Sequence, residues 1–480
     1  MARLRQIDKD SDPMRASGSD LARRSALIGG WSALAISVAA YVYVSVAVQH
    51  QPFHVGPRHL RFFDLRIYRD AAVRLLDGGS IYRRPLVRHL GFTYPPFAAL
   101  VFTPLALVPM AVARLLVTAT NVLALVFMLR RAIAIGRPCG PGRSRLGSTP
   151  AAAWALAALA AAAALWLEPI TVALGYGQVD LLIGALVVFD ISRPDGARGK
   201  GLAIGLAAAI KLTPLVFLAY LLLSGRRRAA LSGALTFLVT IAVSFVLVPG
   251  DASRYWGGLV FDSSRVGGAF DAGNQSLRGA LARLLAERQP GFAAMAVIAV
   301  VALAGLLLAA RASRRGDEAA GFSLCAVTTL EASPVSWTHH WALAVPALLL
   351  LMLGAYERRS RVFAVAAAAV AVVGYSYLPE LMMPSPRRAR SHTLLRGTHH
   401  LRIYGLASLE RDPYVLFGLL ALAGTALRVC LMAPRVRASR WALADHLKLA
   451  RRGMAQDVAG GIEHGADDDG ARVPAAVQRV

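Results

Sequence analysis

An all-α protein that crosses a membrane many times is the fold class this sequence predicts, and three observations predict it. Apolar residues make up 56% of its 480 residues and charged ones only 17%, with mean hydropathy +0.51, more apolar than an ordinary water-soluble chain. Runs such as 25–48, 229–248, 292–310 and 415–432 are long enough as helices, at about 1.5 Å per residue, to cross a hydrocarbon core of about 30 Å. The basic surplus, 53 Lys and Arg against 28 Asp and Glu, clusters between those runs, at 130–145, 226–228 and 311–315. Short cytoplasmic loops carry charge in this way, which argues against a nucleic-acid partner.

The elements follow in order. A basic arm, residues 1–25, precedes a first crossing near 26–48, read as an uncleaved anchor. With that arm cytoplasmic, 49–92 becomes a first outer loop. In it, FDLRIYRDAAVRLLDGGSIY at 63–82 sets Leu65, Tyr68, Ala72, Leu75 and Leu76 on one helical face and Arg66, Arg69, Asp70 and Arg74 mainly on the other. This pattern predicts a helix lying on the membrane surface. Residues 97–110 are short and interrupted by Pro104 and Pro109, so they read as re-entrant or interfacial. Segment 111–129 returns to the basic side, and 150–167 and 172–191 form the next pair of crossings.

Segment 201–224 begins and ends beside basic residues and is interrupted by KLTP at 211–214, as a broken hairpin or two short crossings would be. Residues 229–249 exit, 250–290 form a second outer loop with a further amphipathic stretch, and 291–311 return. Segment 319–332 exits again, placing SPVSWTHH at 333–340 outside. The chain then returns to the basic stretch ERRSR at 357–361, and a crossing at 361–379, a third outer loop at 380–412 and a last crossing at 414–432 lead to a tail, 433–480, of partly disordered composition. The count is about 10–12 transmembrane helices in one membrane body, 26–432, with both termini cytoplasmic.

Several polar residues stand out in the predicted outer loops and crossings. Asp64 opens the surface helix, where a carboxylate can cap free backbone N–H groups. Tyr68 and Tyr94 fit an interfacial aromatic belt. Lys211, in an apolar segment, costs about 2.5–3.5 kcal/mol to insert unless it snorkels, pairs or faces a polar cavity. Gln178 and Asp180 fit polar helix packing, and Asn274 fits a helix cap. His339 and His340 are adjacent, so on a helix they point two ways and make poor joint metal ligands compared with an i, i+4 pair. One can still donate to an anionic headgroup. No metal motif is visible.

Taken together, the segments DLRIY (64–68), GGSIY (78–82), FTYPPF (92–97), GQVD (177–180), IKLTP (210–214), GNQSL (273–277) and SPVSWTHH (333–340) are ordered as in a known family. The chain resembles the family 87 polytopic α-mannosyltransferases of the GT-C class, typical of actinobacteria. The resemblance implies a GT-C-like bundle with amphipathic surface helices in its extracytoplasmic loops. It implies transfer of mannose from polyprenyl-phosphate-mannose, often in α-1,2 linkage, to a mannosylated glycolipid or glycan on the outer face of the plasma membrane. It also implies an acidic base in the first outer loop, and Asp64 occupies that position, with Asp70 and Asp77 as fallbacks.

A β-mannosyl phosphate has a good leaving group, so the chemistry needs a carboxylate at the acceptor hydroxyl and donors or cations at the phosphate. His339, His340 and Lys211 are the candidates at the phosphate. Gln178 and Asn274 are candidates for sugar hydroxyls, and Tyr68 and Tyr94 for stacking on the sugar. No cofactor is expected, and a lipid monophosphate donor lacks the diphosphate that usually calls for a divalent ion. Thr338 stands where the family motif often has Asp, and Asp180 where it often has Asn, which bears on the acceptor more than on the reaction. The competing readings are a lipid or glycolipid flippase, which needs no base in a surface-helix loop, and a related enzyme using another polyprenyl-phosphate sugar.

Overall fold

The computed structural model describes residues 13–47, 61–87, 90–136, 149–271, 273–287, 290–376 and 412–431. Expectations for the first twelve residues, for most of the loop 380–412 and for the tail fall outside the described residues. Among the described residues there are 17 α-helices, three short 3₁₀ helices and no named strand, so the all-helical reading holds.

Among the described residues, five helices are long and apolar enough to cross a membrane. They are Arg23–Ser45 within α1 (Pro13–Ala47), α4 (Met110–Gly136), α10 (Arg227–Leu247), α13 (Phe292–Arg314) and the stretch Thr338–Glu357, where a 3₁₀ turn (Thr338–Ala344) runs into α15 (Val345–Arg358). A sixth is formed if α5 (Pro150–Ala164) and α6 (Glu168–Tyr176), bent by 81°, count as one span. The chain is a multi-pass membrane protein. Among the described residues, continuous spans are fewer than the ten expected because α5 and α6 are bent, α7 (Asp180–Ile191) has only 12 residues, and the helices Glu318–Ala332 and Arg361–Ser376 have 15 and 16; α3 (Pro96–Ala106), α8 (Leu202–Ile210) and α9 (Leu215–Leu223), of 11, 9 and 9 residues, are the short pieces expected of the two proline-interrupted segments.

The expected crossing at 172–191 in particular is two helices, and the break between them falls at Gly177–Val179. The backbone there needs glycine: Gly177 has φ 70°, and a Cβ on it would stand 2.8 Å from the Cβ of Leu65. Such a left-handed C-terminal residue ends α6 and turns the chain.

The 201–224 segment is the hairpin. Lys200 Nζ and Arg226 Nε, at its two ends, both donate to the same oxygen of Asp195, at 2.9 and 2.8 Å. Its near arm is fixed by Asp190 at the end of α7, whose carboxylate accepts the Gly201 and Ile204 N–H groups at 2.8 and 3.1 Å, so the orphan donors of the α8 N-terminus are satisfied inside an apolar body. Gly201 has φ 101°, and a Cβ there would collide with the Ala229 carbonyl at 1.9 Å, so α8 and α10 approach backbone to backbone, as small residues allow in a membrane. The arms are about 14 Å long at 1.5 Å per residue, which carries Lys211 deep into the bundle.

The predicted surface helix is α2 (Phe63–Leu76), with Leu65, Ile67, Tyr68, Ala71 and Ala72 buried. It packs on α3. The 249–285 segment, containing α11 (Pro249–Trp256) and α12 (Leu277–Leu285), docks on the chain after α2: Ser80 Oγ and Ile81 N donate to Asp251 at 2.5 and 2.9 Å, Tyr82 stacks on Tyr255 at 5.5 Å, and Arg265 donates to the Phe92 carbonyl at 2.7 Å. α14 (Glu318–Ala332), α16 (Arg361–Ser376) and α17 (Pro413–Leu431) complete the body. A fully buried ion pair between Arg283 and Asp412 ties α12 to the start of α17.

Candidate active site

Four breaks in helical structure converge: the start of α2, the α6–α7 turn, the tip of the α8–α9 hairpin and the 3₁₀ turn at 338–344. The start of α2 is anchored by the Phe62 N–H, which donates to the Gly175 carbonyl at 2.8 Å. Asp64 lies in the first turn of that helix, and no side-chain cap bond is made there. The capping account of Asp64 is therefore replaced: its carboxylate instead accepts from Gln178 Nε2 at 2.7 Å. Burial, opposed by the Gln178 hydrogen bond and by Lys211, pushes the Asp64 carboxyl up to about 6, with Asp180 adding to the rise. Such a carboxyl is mostly ionised at neutral pH yet more basic than an ordinary aspartate, which suits proton abstraction.

Gln178 is held from three sides. Its Oε1 accepts from Tyr68 OH at 2.5 Å and Tyr94 OH at 3.0 Å, and its backbone carbonyl accepts from Asn121 Nδ2 at 2.8 Å. Those bonds also fix the amide orientation, because two hydroxyl donors require the oxygen on their side and leave the NH₂ for Asp64. Two residues on, Asp180 opens α7 and accepts from Lys211 Nζ at 2.5 Å. Its other oxygen, Oδ2, lies 3.8 Å from His339 Nε2. Lys211 Nζ also stands 5.7 Å from the centre of the Tyr94 ring, a cation–π distance. The one turn GQVD thus holds the carboxylate of the first loop with one residue and the cation of the hairpin with another.

Asp64, Tyr68, Tyr94, Gln178, Lys211 and His339 are brought together as a connected set, with His340 beside His339 at 4.7 Å between ring centres. Three expectations change in detail. Tyr68 is buried, its ring is stacked on Phe102 at 4.5 Å and its hydroxyl is spent on Gln178, so it orients Gln178 and offers no open face to a sugar. Asn274 is fully buried, and its carboxamide oxygen accepts from Ser336 N at 2.9 Å, while Gln275 N donates to the Ser336 carbonyl at 2.7 Å. It clamps the strand-like approach to the histidines and does not cap α12; Ser276 is the cap, accepting from Gly279 N at 3.1 Å. Finally, the adjacent histidines do not diverge. In the tighter 3₁₀ turn a ring nitrogen of each and a carboxylate oxygen of Asp180 lie within 4.8 Å of one another.

The fallback bases lie elsewhere. Asp77 is the exposed C-cap of α2, about 20 Å along the helix from Asp64 at 1.5 Å per residue. Asp70 has Arg66, Arg69 and Arg74 around it. Asn121 was missed by sequence reasoning, although a lone amide inside an apolar span was the available signal.

Residues 92–334 match the family model described as glycosyltransferase family 87. Over 350 residues the chain is 34% identical to a polyprenol-phosphate-mannose-dependent alpha-(1-2)-phosphatidylinositol mannoside mannosyltransferase of Mycobacterium tuberculosis, covering 70% of this chain and 79% of that one. The protein of the same description from Mycolicibacterium smegmatis is 35% identical, over 68% of this chain and 77% of its own. A phosphatidylinositol pentamannoside mannosyltransferase of Mycobacterium tuberculosis, also alpha-(1-2) and polyprenol-phosphate-mannose-dependent, is 32% identical, over 69% and 76%. No solved structure matches. A family model covering half of the chain, and relatives above 30% identity over more than two thirds of both partners, agree with the order of the polar motifs: this chain belongs to glycosyltransferase family 87.

Proposed function

We propose that the protein transfers mannose from polyprenyl-phosphate-mannose to a mannosylated glycolipid or glycan, in α-1,2 linkage, with inversion and with Asp64 as general base. The relatives' shared dependence on that donor supports the donor class, and the family supports an enzyme over a flippase. The observation that carries the mechanism is the GQVD turn, which links Asp64 through Gln178 and Lys211 through Asp180. Base and cation are thereby set on the two sides of one spot.

The acceptor hydroxyl oxygen forms a bond to C1 of mannose while the C1–O bond to phosphate breaks, and its electron pair leaves with the polyprenyl phosphate. The hydroxyl proton passes to Asp64. Charge grows on the departing phosphate, where Lys211, His339 and His340 stabilise it among buried groups, where such contacts are worth more than in bulk water. Attack from the face opposite a β-linked phosphate gives the α product. Tyr94 and Gln178 border the sugar, and Tyr68, Asn121 and Asn274 hold the groups that touch it.

The sidedness follows from charge: with the basic turns at 130–131, 193, 226 and 311–315 in the cytoplasm, both termini are cytoplasmic and the site opens to the outer leaflet of the plasma membrane. Purified protein given labelled polyprenyl-phosphate-mannose and phosphatidylinositol mannosides tests the function. The expected product is a glycolipid one mannose heavier with a terminal α-1,2 residue; release or movement of donor without a mannosylated acceptor would refute it.

A further inference from the structure

Three buried polar atoms at the phosphate side of the site have no hydrogen-bond partner among the described residues: Asp180 Oδ2, His339 Nε2 and His340 Nδ1. They belong to the three side chains whose ligand-type atoms lie within 4.8 Å of one another. A single unmet buried polar group costs about 1–3 kcal/mol, and three on neighbouring side chains call for a partner. Lys211 does not fill it. Its ammonium takes Asp180 Oδ1 and leaves Oδ2 free.

The spacing suits an ion better than a hydrogen bond. Asp180 Oδ2 and His339 Nε2 are 3.8 Å apart, too long for direct bonding. Two ligands at about 2.0–2.1 Å from a tetrahedral ion are separated by about 3.4 Å, a contraction that a rotation of either side chain supplies. Two imidazoles and one carboxylate form a donor set for a divalent transition metal, and three protein ligands leave positions open.

Charge points the same way. Asp64, Asp180 and Lys211 contribute two carboxylates and one ammonium at a place that has to receive an anionic donor and release a more anionic product. Asp180 cancels Lys211, so that cation is largely spent before the substrate arrives. A divalent ion reverses that balance.

We propose that Asp180, His339 and His340 form a binding site for a divalent transition-metal cation whose open position takes a phosphate oxygen of the lipid donor, an inference that rests on reading this pocket as the phosphate side of the transferase site. In the transfer step the ion accepts charge as the C1–O bond breaks; the proton still goes to Asp64.

The test uses the full chain in detergent, stripped with a chelator and titrated with Zn²⁺ alone and with Co²⁺ alone. One Zn²⁺ per chain is expected, with Co²⁺ giving visible absorption bands that change when polyprenyl phosphate is added. His339→Gln and Asp180→Asn should each weaken binding by at least about tenfold, and stripping should lower transfer at least tenfold until the ion is restored. The wild-type stoichiometry stands even if a variant fails to fold. If the stripped wild type binds no ion and transfers at full rate while His339→Gln loses donor binding, the metal is refuted and the phosphate reading survives. If His339→Gln also keeps donor affinity and rate, both fall. Equal binding by wild type and variants means an adventitious ion only and overturns the proposal.

Discussion

Removing the Gln178 hydrogen bond from Asp64 should move the acidic limb of the pH–rate profile. In the native site the Asp64 carboxyl sits at about 6, so the ionised, base-competent fraction is about one tenth at pH 5 and about nine tenths at pH 7. The sign follows from the role: transfer needs the deprotonated form, and kcat/KM falls about tenfold per unit as pH drops below that value. Gln178 donates to the charged form at 2.7 Å, and a hydrogen bond to a charged group is worth about 1.5–3 kcal/mol. At 1.36 kcal/mol per unit, Gln178→Leu should raise the limb by about one to two units, to the neutral range or above. The assay is initial-rate mannose transfer from pH 4.5 to 9 at subsaturating donor, with folding checked by thermal denaturation in detergent. A wild-type limb near 4, or a folded Gln178→Leu variant whose limb does not move, would refute the assignment of the base and of its partner.

Further outcomes follow from the same contacts. Lys211→Met leaves Asp180 buried without its ammonium and should destabilise the protein by about 3–5 kcal/mol; the double variant Lys211→Met/Asp180→Asn should recover much of that loss in thermal denaturation, with transfer still impaired. Gly177→Ala places a Cβ at positive φ and 2.8 Å from Leu65, which should cost about 1–3 kcal/mol and lower transfer by separating Asp64 from Gln178; unchanged stability and rate would count against the turn's role. A single cysteine at the exposed Asp77 should react with a membrane-impermeant maleimide added outside intact cells, and labelling only after lysis would reverse the proposed topology.

Much of the fold was legible because it rests on hydrophobic length and charge. The long spans α4, α10 and α13 and the surface helix α2 lie where apolar runs and 3.6-residue periodicity put them, and basic turns mark their ends. The broken elements were harder. Proline at 214 announced the break beside Lys211, and GYGQVD at 175–180, with two glycines, Gln178 and Asp180, carried a signal for the other break; the left-handed Gly177 packed against Leu65 is a tertiary contact that no local pattern shows. The candidate residues were found by motif order, but their division of labour was not: Tyr68 and Asn274 act on Gln178 and Ser336 through contacts far apart in sequence. The convergence of His339 and His340 depends on a 3₁₀ turn that an α-helical spacing rule does not anticipate.

Proton transfer from the acceptor to Asp64 is the step on which the proposed mechanism turns. Asp64→Asn keeps the size and most of the hydrogen bonding of the side chain, so the variant should fold and bind polyprenyl-phosphate-mannose as the wild type does. Its single-turnover rate of mannose transfer to a phosphatidylinositol mannoside should fall by about 10²–10⁴-fold, the usual contribution of a general base. A folded, donor-binding Asp64→Asn enzyme that transfers mannose at the wild-type rate would contradict it.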